Sequence, residues 1–224
     1  PQKVGVAVAD LFTGMYATVG ILAALRHAER TGEGQFIDMA LLDTQTAMLA
    51  NLGANYLVNG KVPSRMGNAH QNIVPYQVFE VAPKADGSAD HIILAVGNDS
   101  QFAKYCQVAG RPDLAADPRY VKNADRVRNR AELVPILTQI MATRPKADWL
   151  AALEAAKVPC GAINNLKEVF DDPHVQQRQM VTHWQHTLKA DLQLVSSPLK
   201  LSQTPVRTDL PPPLLGQHTD EVLG

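Results

Sequence analysis

The sequence predicts an α/β fold, and three observations support this. The chain opens with a strand, helix, strand, helix order, which favours a parallel sheet with helices packed on it. Hydrophobic residues make up 46% of its 224 residues, enough to bury a sizeable core. Further strand-like segments follow between helices, which predicts a smaller α+β part after the first.

The first part supplies the alternation of strands and helices. Residues 4–9 are predicted as a strand, and residues 13–30 as a helix because apolar side chains recur every three or four positions. Residues 35–42 are a short apolar run that suits a buried strand, and residues 41–57 return to helical spacing. Residues 59–77 lack a hydrophobic period and are predicted as a linker and loop.

The same periodicities continue to the end of the chain. The further predicted strands are residues 76–81, 91–96, 180–184 and 192–195. The further predicted helices are residues 99–108, 125–141, 144–156, 166–170, a short one after Pro173, and one cut off at Gly224. Asp99 or Ser100 is the expected cap of the first of these helices. Pro135 should kink or split the second, because proline removes a donor and crowds the preceding turn.

Charge and composition exclude several classes of protein. With 21 Lys and Arg against 22 Asp and Glu, the net charge is −1, which argues against a dedicated nucleic-acid binder. Residues 16–25, taken as the nearest apolar stretch, cover about half of the 18 to 20 residues that span a bilayer, so no membrane segment is expected. Cys106 and Cys160 form no Cys-x-x-Cys pair, which predicts a reducing compartment, the cytoplasm or an organelle matrix.

Asp10 is the most informative polar residue, since it lies where the first predicted strand meets the first helix. A carboxylate there faces unpaired backbone N–H groups and the positive end of the helix dipole, which stabilise its ionised form. Such a site can also hold a developing oxyanion. Aspartate is equally a favoured N-cap, worth about 1 kcal/mol, and local spacing alone favours that structural role.

Two other polar groups are interpreted as structural. Arg126, Arg128 and Arg130 alternate on a predicted polar helix face, which is typical of solvation. His183 and His186 lie in a predicted strand, where side chains three positions apart face opposite ways. No metal site is therefore expected there.

Motifs scattered along the chain resemble those of one family. They are Asp10-x-x-Thr13-Gly14, residues 20–25, Thr31-Gly32-x-Gly34-Gln35-x-x-Asp38, Arg65-x-Gly67-Asn68-x-His70, residues 73–79, 158–161, 164–165 and 213–219. In this order they resemble the class III CoA-transferases, the formyl-CoA transferase and carnitine CoA-transferase type. Residues 54–57, 73–77 and 211–218 are most similar to the members that use dicarboxylates, of the succinyl-CoA:glutarate type.

The resemblance implies a C-terminal fragment with a particular domain arrangement. Residues 1–60 would be the end of a Rossmann-like large domain and residues 67–145 a small α+β domain. Residues 146–224 would be a linker and a return to the large domain. In the family, two such chains form an interlocked homodimer, with the active site between the large domain of one chain and the small domain of the other.

The resemblance also implies a reaction. Asp10 would be the nucleophile, forming a mixed anhydride with the acyl group of an acyl-CoA and then an aspartyl-CoA thioester, before CoA passes to a carboxylic, here dicarboxylic, acid. Backbone N–H groups near Thr13 and Gly14 are the candidate oxyanion donors. Coenzyme A is then a substrate, no permanent cofactor is implied, and the compartment is the cytoplasm, or the mitochondrial matrix in a eukaryote.

A second candidate region corresponds to the loop that closes over the intermediates in the family. It contains Gly67, Asn68, His70 and Gln71. The glycine run of formyl-CoA transferase is absent here. His70 or Gln71 would either hydrogen-bond the distal carboxylate of the substrate or be a solvated loop residue.

Two alternatives remain open at this point. The same superfamily contains CoA-thioester racemases, in which the matching aspartate moves a proton, although these tend to carry a glycine cluster that residues 11–15 lack. The second alternative is a non-catalytic partner subunit. Asp10 argues against it, because such a subunit does not need the carboxylate.

Overall fold

The structure is a computed structural model that describes residues 4–224. It contains two compact units, Pro1–Met66 and Gly67–Gly224. Both helices and strands are present, so the mixed α/β class is confirmed.

The first unit consists of helices in its described residues. They are α1 (Val8–Thr31), α2 (Leu41–Ala47) and α3 (Ala50–Asn59). The strands predicted at residues 4–9 and 35–42 are wrong, because residues 4–66 contain no strand with which either segment could pair. Gly32 ends α1 with a φ of 78°, a left-handed conformation that glycine adopts without steric cost.

Apolar side chains cover the surface of α1. Among residues 4–66, Thr44 alone is buried, while α1 has no buried residue although it packs against α2. By length and composition α1 could cross a membrane, which corrects the expectation drawn from residues 16–25. Core helices of soluble proteins and signal sequences meet the same criteria.

The second unit is built on an antiparallel sheet covered by helices. The strands are β1 (Tyr76–Val81), β2 (Asp90–Ala95) and β3 (Cys160–Ala162), with β2 in the centre. The covering helices are α4 (Asp99–Val108), α5 (Pro112–Ala116), α6 (Asn123–Arg128), α7 (Arg130–Met141) and α8 (Lys146–Ala155). The predictions of β1 and β2 are confirmed to within a residue, whereas β3 was not predicted.

Two details of these helices differ from the prediction. The side chain of Asn98, not of Asp99 or Ser100, caps α4 by accepting from the Gln101 N–H. The break in the long predicted helix falls at Asn129, and Pro135 lies inside α7. The Asn129 amide donates to a carbonyl outside the helices, which holds the chain at this break.

The core of the second unit joins the sheet to the helices. Trp149 and Leu153 of α8 are fully buried in the same cluster as Ile92 and Leu94 of β2. The indole of Trp149 donates to the Met141 carbonyl at 2.8 Å, so its one polar atom is satisfied. The small-domain boundary expected at residue 145 therefore falls inside one core.

The rest of the second unit forms a hairpin and short helices. β4 (Val181–His186) and β5 (Lys189–Val195) pair antiparallel, at the positions predicted for strands. The helices are α9 (Leu166–Asp171), α10 (Pro173–Gln177) and α11 (Thr219–Leu223). The three predicted helices in this region are confirmed.

Candidate active site

Asp10 lies in the first turn of α1. The helix begins at Val8, its N-cap residue Ala7 makes no side-chain cap, and the Asp10 side chain is exposed. Asp10 is therefore inside the helix and not its cap. The first-turn N–H groups have no carbonyl one turn back within the helix, and their positive potential stabilises an ionised carboxylate. The structure thus offers an accessible carboxylate at a helix N-terminus.

Thr13 and Gly14 do not offer the free donors expected of them. Both lie beyond the first turn of α1, where a backbone N–H bonds to the carbonyl four residues earlier. The Thr13 hydroxyl also donates to the Ala9 carbonyl at 2.7 Å. Backbone donors at this helix end are instead those of the first turn, at Ala9 and Asp10.

The loop that contains Gly67, Asn68, His70 and Gln71 is fastened to strand β1 of its own unit. The Asn68 Oδ1 atom accepts from the Val78 N–H at 3.1 Å. The His70 N–H donates to the Tyr76 carbonyl at 2.8 Å. The structure thus gives these four residues a defined conformation without the glycine run of formyl-CoA transferase.

The imidazole of His70 has a defined orientation. It stacks on the Tyr76 ring with centroids 5.2 Å apart, and its Nδ1 atom accepts from the Asn72 N–H at 3.0 Å. A neutral imidazole that accepts at Nδ1 carries its proton on Nε2. His70 therefore presents an N–H donor on the far edge of a half-buried ring, and a carboxylate is a suitable acceptor.

The arginines predicted to be solvated include two that contact this loop segment. Arg126 is fully buried, which corrects the prediction, while Arg128 is exposed and pairs with Asp125. The Arg130 Nη2 atom donates to the carbonyls of His70 at 2.7 Å and Gln71 at 2.9 Å. Burial lowers the pKa of Arg130.

Arg126 is the centre of a buried network. Its guanidinium donates to the carbonyls of Val74 at 2.6 Å and Tyr120 at 2.9 Å, and to Asp99 at 3.1 Å. It also lies over the Phe102 ring, 4.4 Å from the centroid. Burial raises the pKa of Asp99, but hydrogen bonds from Arg126 and a backbone N–H, with nearby positive charge, lower it overall.

Comparison with known proteins decides the family. The family model described as CoA-transferase family III matches residues 1–219. The chain belongs to this family. It is 48% identical over 223 residues to succinate--glutarate CoA-transferase of Agrobacterium fabrum, covering 100% of this chain and 54% of that protein. It is 39% identical to human succinyl-CoA:glutarate CoA-transferase, covering 100% and 50%.

Solved structures share the fold of this family III chain. A CAIB/BAIF family protein from Brucella suis is 41% identical, with a TM-score of 0.79 over 100% of this chain and 56% of that one. Rv3272 from Mycobacterium tuberculosis has a TM-score of 0.81 over 98% of this chain and 56% of that one, but at 23% identity it shows the fold alone. The chain spans about half the length of the relatives it matches.

Other reactive groups of this family III chain are held in structural roles. Burial raises the pKa of the Cys106 thiol to about 12, and it raises that of Cys160 as well, so neither is a ready thiolate nucleophile. His183 pairs with Asp191, and the His186 Nε2 atom lies 3.0 Å from a carbonyl oxygen. In residues 4–224 no cluster of three or more His, Cys, Asp or Glu could hold a metal.

Sequence reasoning missed the roles that four residues have in this family III chain, namely Asp99, Asn123, Arg126 and Arg130. The positions 123, 126 and 130 are three and four apart, the spacing of one helical face. That signal was present but shared its segment with the exposed Arg128, so it was interpreted as a solvated stripe.

Proposed function

We propose that this chain carries the nucleophile of an acyl-CoA:carboxylate CoA-transferase. The observation that carries the proposal is the exposed carboxylate of Asp10 in the first turn of α1, in a chain of CoA-transferase family III. Relatives matched over the whole chain are named for CoA transfer between succinate and glutarate. Succinyl-CoA or a similar thioester is the proposed donor, and a dicarboxylic acid the acceptor.

The proposed reaction balances with Asp10 as the covalent carrier. A carboxylate oxygen of Asp10 attacks the thioester carbonyl carbon, and as the C–O bond forms the C–S bond breaks, which releases CoA thiolate. The thiolate attacks the Asp10 carbonyl carbon of this mixed anhydride and releases the donor acid as a carboxylate. The acceptor carboxylate then attacks the aspartyl-CoA thioester, and the same two steps in reverse restore Asp10.

The site needs position and charge stabilisation more than a base. A carboxylate is already ionised, so no general base has to activate it. The first-turn N–H groups of α1 stabilise the carboxylate and the oxyanions that form on it. Exclusion of water is required as well, because water hydrolyses an anhydride. We propose the His70 loop as the part of the site that covers the intermediates.

The wider assembly is proposed on the family relationship. It comprises a Rossmann-like large domain that includes residues 1–60, a return of the last residues to that domain, and an interlocked homodimer. The exposed apolar surface of α1 supports a buried position for this helix in the assembled enzyme, in place of a membrane span. CoA is a substrate and no permanent cofactor is proposed. Two free cysteines suit a reducing compartment such as the cytoplasm or mitochondrial matrix.

Trapping the acyl-enzyme tests the proposal directly. The full-length protein is incubated with succinyl-CoA and then with hydroxylamine or borohydride, and its peptides are analysed by mass spectrometry. We expect a hydroxamate or the reduced alcohol at Asp10, because only an activated acyl group reacts with these reagents. Asp38 and Asp43 of the same unit are internal controls and stay unmodified. Exchange of the α-hydrogen of the substrate without any adduct would instead identify a racemase.

His70 is the proposed ligand of the distal carboxylate. Replacing it by asparagine keeps an acceptor near the position of Nδ1 for the Asn72 N–H and removes the Nε2 donor. We expect kcat/KM for glutarate to fall about tenfold, the value of one hydrogen bond to a charged group, with pentanoate turnover unchanged. Steady-state kinetics with both acids provide the measurement.

The control for this prediction is the exposed His174, whose replacement by asparagine should change neither acid's kinetics. His70→Gln, which can place an amide N–H near the position of Nε2, should recover part of the loss. Equal losses for glutarate and pentanoate in His70→Asn would show that His70 does not recognise the distal carboxylate.

A further inference from the structure

Three side chains of the consecutive helices α6 and α7 bind backbone groups of the loop that contains His70. Arg130 donates to the carbonyls of residues 70 and 71. The Asn123 side-chain amide donates to the carbonyl of residue 72 at 2.8 Å. The Arg126 guanidinium donates to the carbonyl of residue 74. Asn123 also accepts from the Val74 N–H at 3.1 Å. We call residues 123, 126 and 130 the carbonyl clamp.

The clamp satisfies backbone groups that have no sheet partner. Residues 67–75 precede β1 and form no strand, so their carbonyls need donors from elsewhere. The clamp supplies donors to residues 70, 71, 72 and 74 from α6 and α7. Because each side chain binds the backbone, the conformation of the loop depends on residues that are distant in sequence.

The clamp is itself held by the core. Asp99 at the start of α4 accepts from the Arg126 guanidinium and from the Asn123 N–H at 2.9 Å. Arg126 is fully buried, so its bonds to Asp99 and to the loop carbonyls contribute to folding. Arg130 is half-buried and lies at the first position of α7. We therefore expect the replacement of Arg130 to cost less folding stability than that of Arg126.

We propose that Arg130 is a positioning residue for substrate recognition. A single nitrogen of its guanidinium binds two consecutive carbonyls, and this fixes the backbone on both sides of the His70 imidazole. With the Nδ1 bond to Asn72, it aims the Nε2–H at the place where a distal carboxylate binds. This inference rests on the proposed function of His70 and extends it to a residue that acts through His70.

The test compares two variants of the full-length enzyme, Arg130→Met and Arg130→Lys, with the exposed Arg128→Met as the matched control. For Arg130→Met we expect kcat/KM for glutarate to fall about tenfold, with pentanoate turnover changed less than about twofold. Arg130→Lys should recover part of the loss, because an ammonium keeps the charge but lacks the guanidinium geometry. Arg128→Met should match the parent enzyme.

A second measurement does not depend on turnover. Amide hydrogen exchange at Asn72, whose N–H donates to His70 Nδ1, should accelerate about tenfold or more in Arg130→Met and remain unchanged in Arg128→Met. Unchanged exchange would overturn the proposal, as would equal losses for the two acids. A specificity loss in His70→Asn without one in Arg130→Met would overturn this inference and leave the role of His70 intact. If His70→Asn kept full kcat/KM for glutarate, His70 would not recognise the distal carboxylate, and the role of Arg130 would fall with it.

Discussion

Replacing Asp10 by asparagine will lower CoA transfer by about 10⁴-fold or more. The amide has almost the size of the carboxylate but is not a nucleophile towards a thioester, so the anhydride cannot form. The side chain is exposed and in a first helical turn, so loss of its charge costs about 0.3 to 1 kcal/mol of stability. Transfer is measured with succinyl-CoA and glutarate, and folding by thermal unfolding.

Asp43 provides the matched control for Asp10. It is also an exposed aspartate in the first turn of a helix of the same unit. Asp43→Asn therefore removes the same charge and the same helix-end interaction without touching the proposed nucleophile. We expect transfer within about twofold of the parent. Substantial transfer by Asp10→Asn, or an equal loss in both variants, would contradict a covalent role for Asp10.

Local sequence predicted the second unit better than the first. β1 and β2 were predicted because alternation in each strand matches the burial that the finished sheet imposes. The short β3 could not be predicted, since its three residues pair with β2 about seventy positions earlier in the chain, and local patterns do not carry such pairing. At residues 4–9 and 35–42 the apolar runs were read as strands, but no paired strand occurs in residues 4–66.

Local sequence likewise suggested some residues of the candidate site and not others. Asp10 was proposed because its place at the predicted start of a helix and its family motif agree, and the structure puts it in the first turn of α1. The oxyanion donors were placed wrongly because the start of α1 was set several residues too late, which made Thr13 and Gly14 look like first-turn residues. The roles of Arg126 and Arg130 were missed because both bind backbone carbonyls. Every residue type has such a carbonyl, so the sequence does not show which ones are bound.

The largest loss of stability is expected when Arg126 is replaced by methionine. Methionine fills much of the same volume but donates no hydrogen bond, so the carbonyls of Val74 and Tyr120 and the carboxylate of Asp99 lose their partner. Breaking a buried charged network from one side costs about 3 to 5 kcal/mol. Unfolding by urea, followed by the fluorescence of the buried Trp149, measures the change in free energy.

Two comparisons separate the network from packing alone. Arg128→Met, at a side chain that is 71% exposed, should change the free energy of unfolding by less than about 0.5 kcal/mol. Asp99→Asn should cost less than Arg126→Met, because the Asp99 side chain is 39% exposed and water can replace it. A loss in Arg126→Met no larger than in Arg128→Met would show that the network contributes nothing.

The pH dependence tests the charged part of the network. The pKa of Asp99 is lowered below 3.8 in the folded protein, so its contribution to stability is complete above that value and is lost as the pH falls through the lowered pKa. Protonated Asp99 no longer forms an ion pair with Arg126. The parent protein then loses the stabilisation from this pair, which Arg126→Met lacks at every pH. The difference in unfolding free energy between parent and Arg126→Met should therefore be constant near neutrality and shrink in acid. A difference that stays constant throughout would assign the whole effect to the carbonyl bonds and the Phe102 contact.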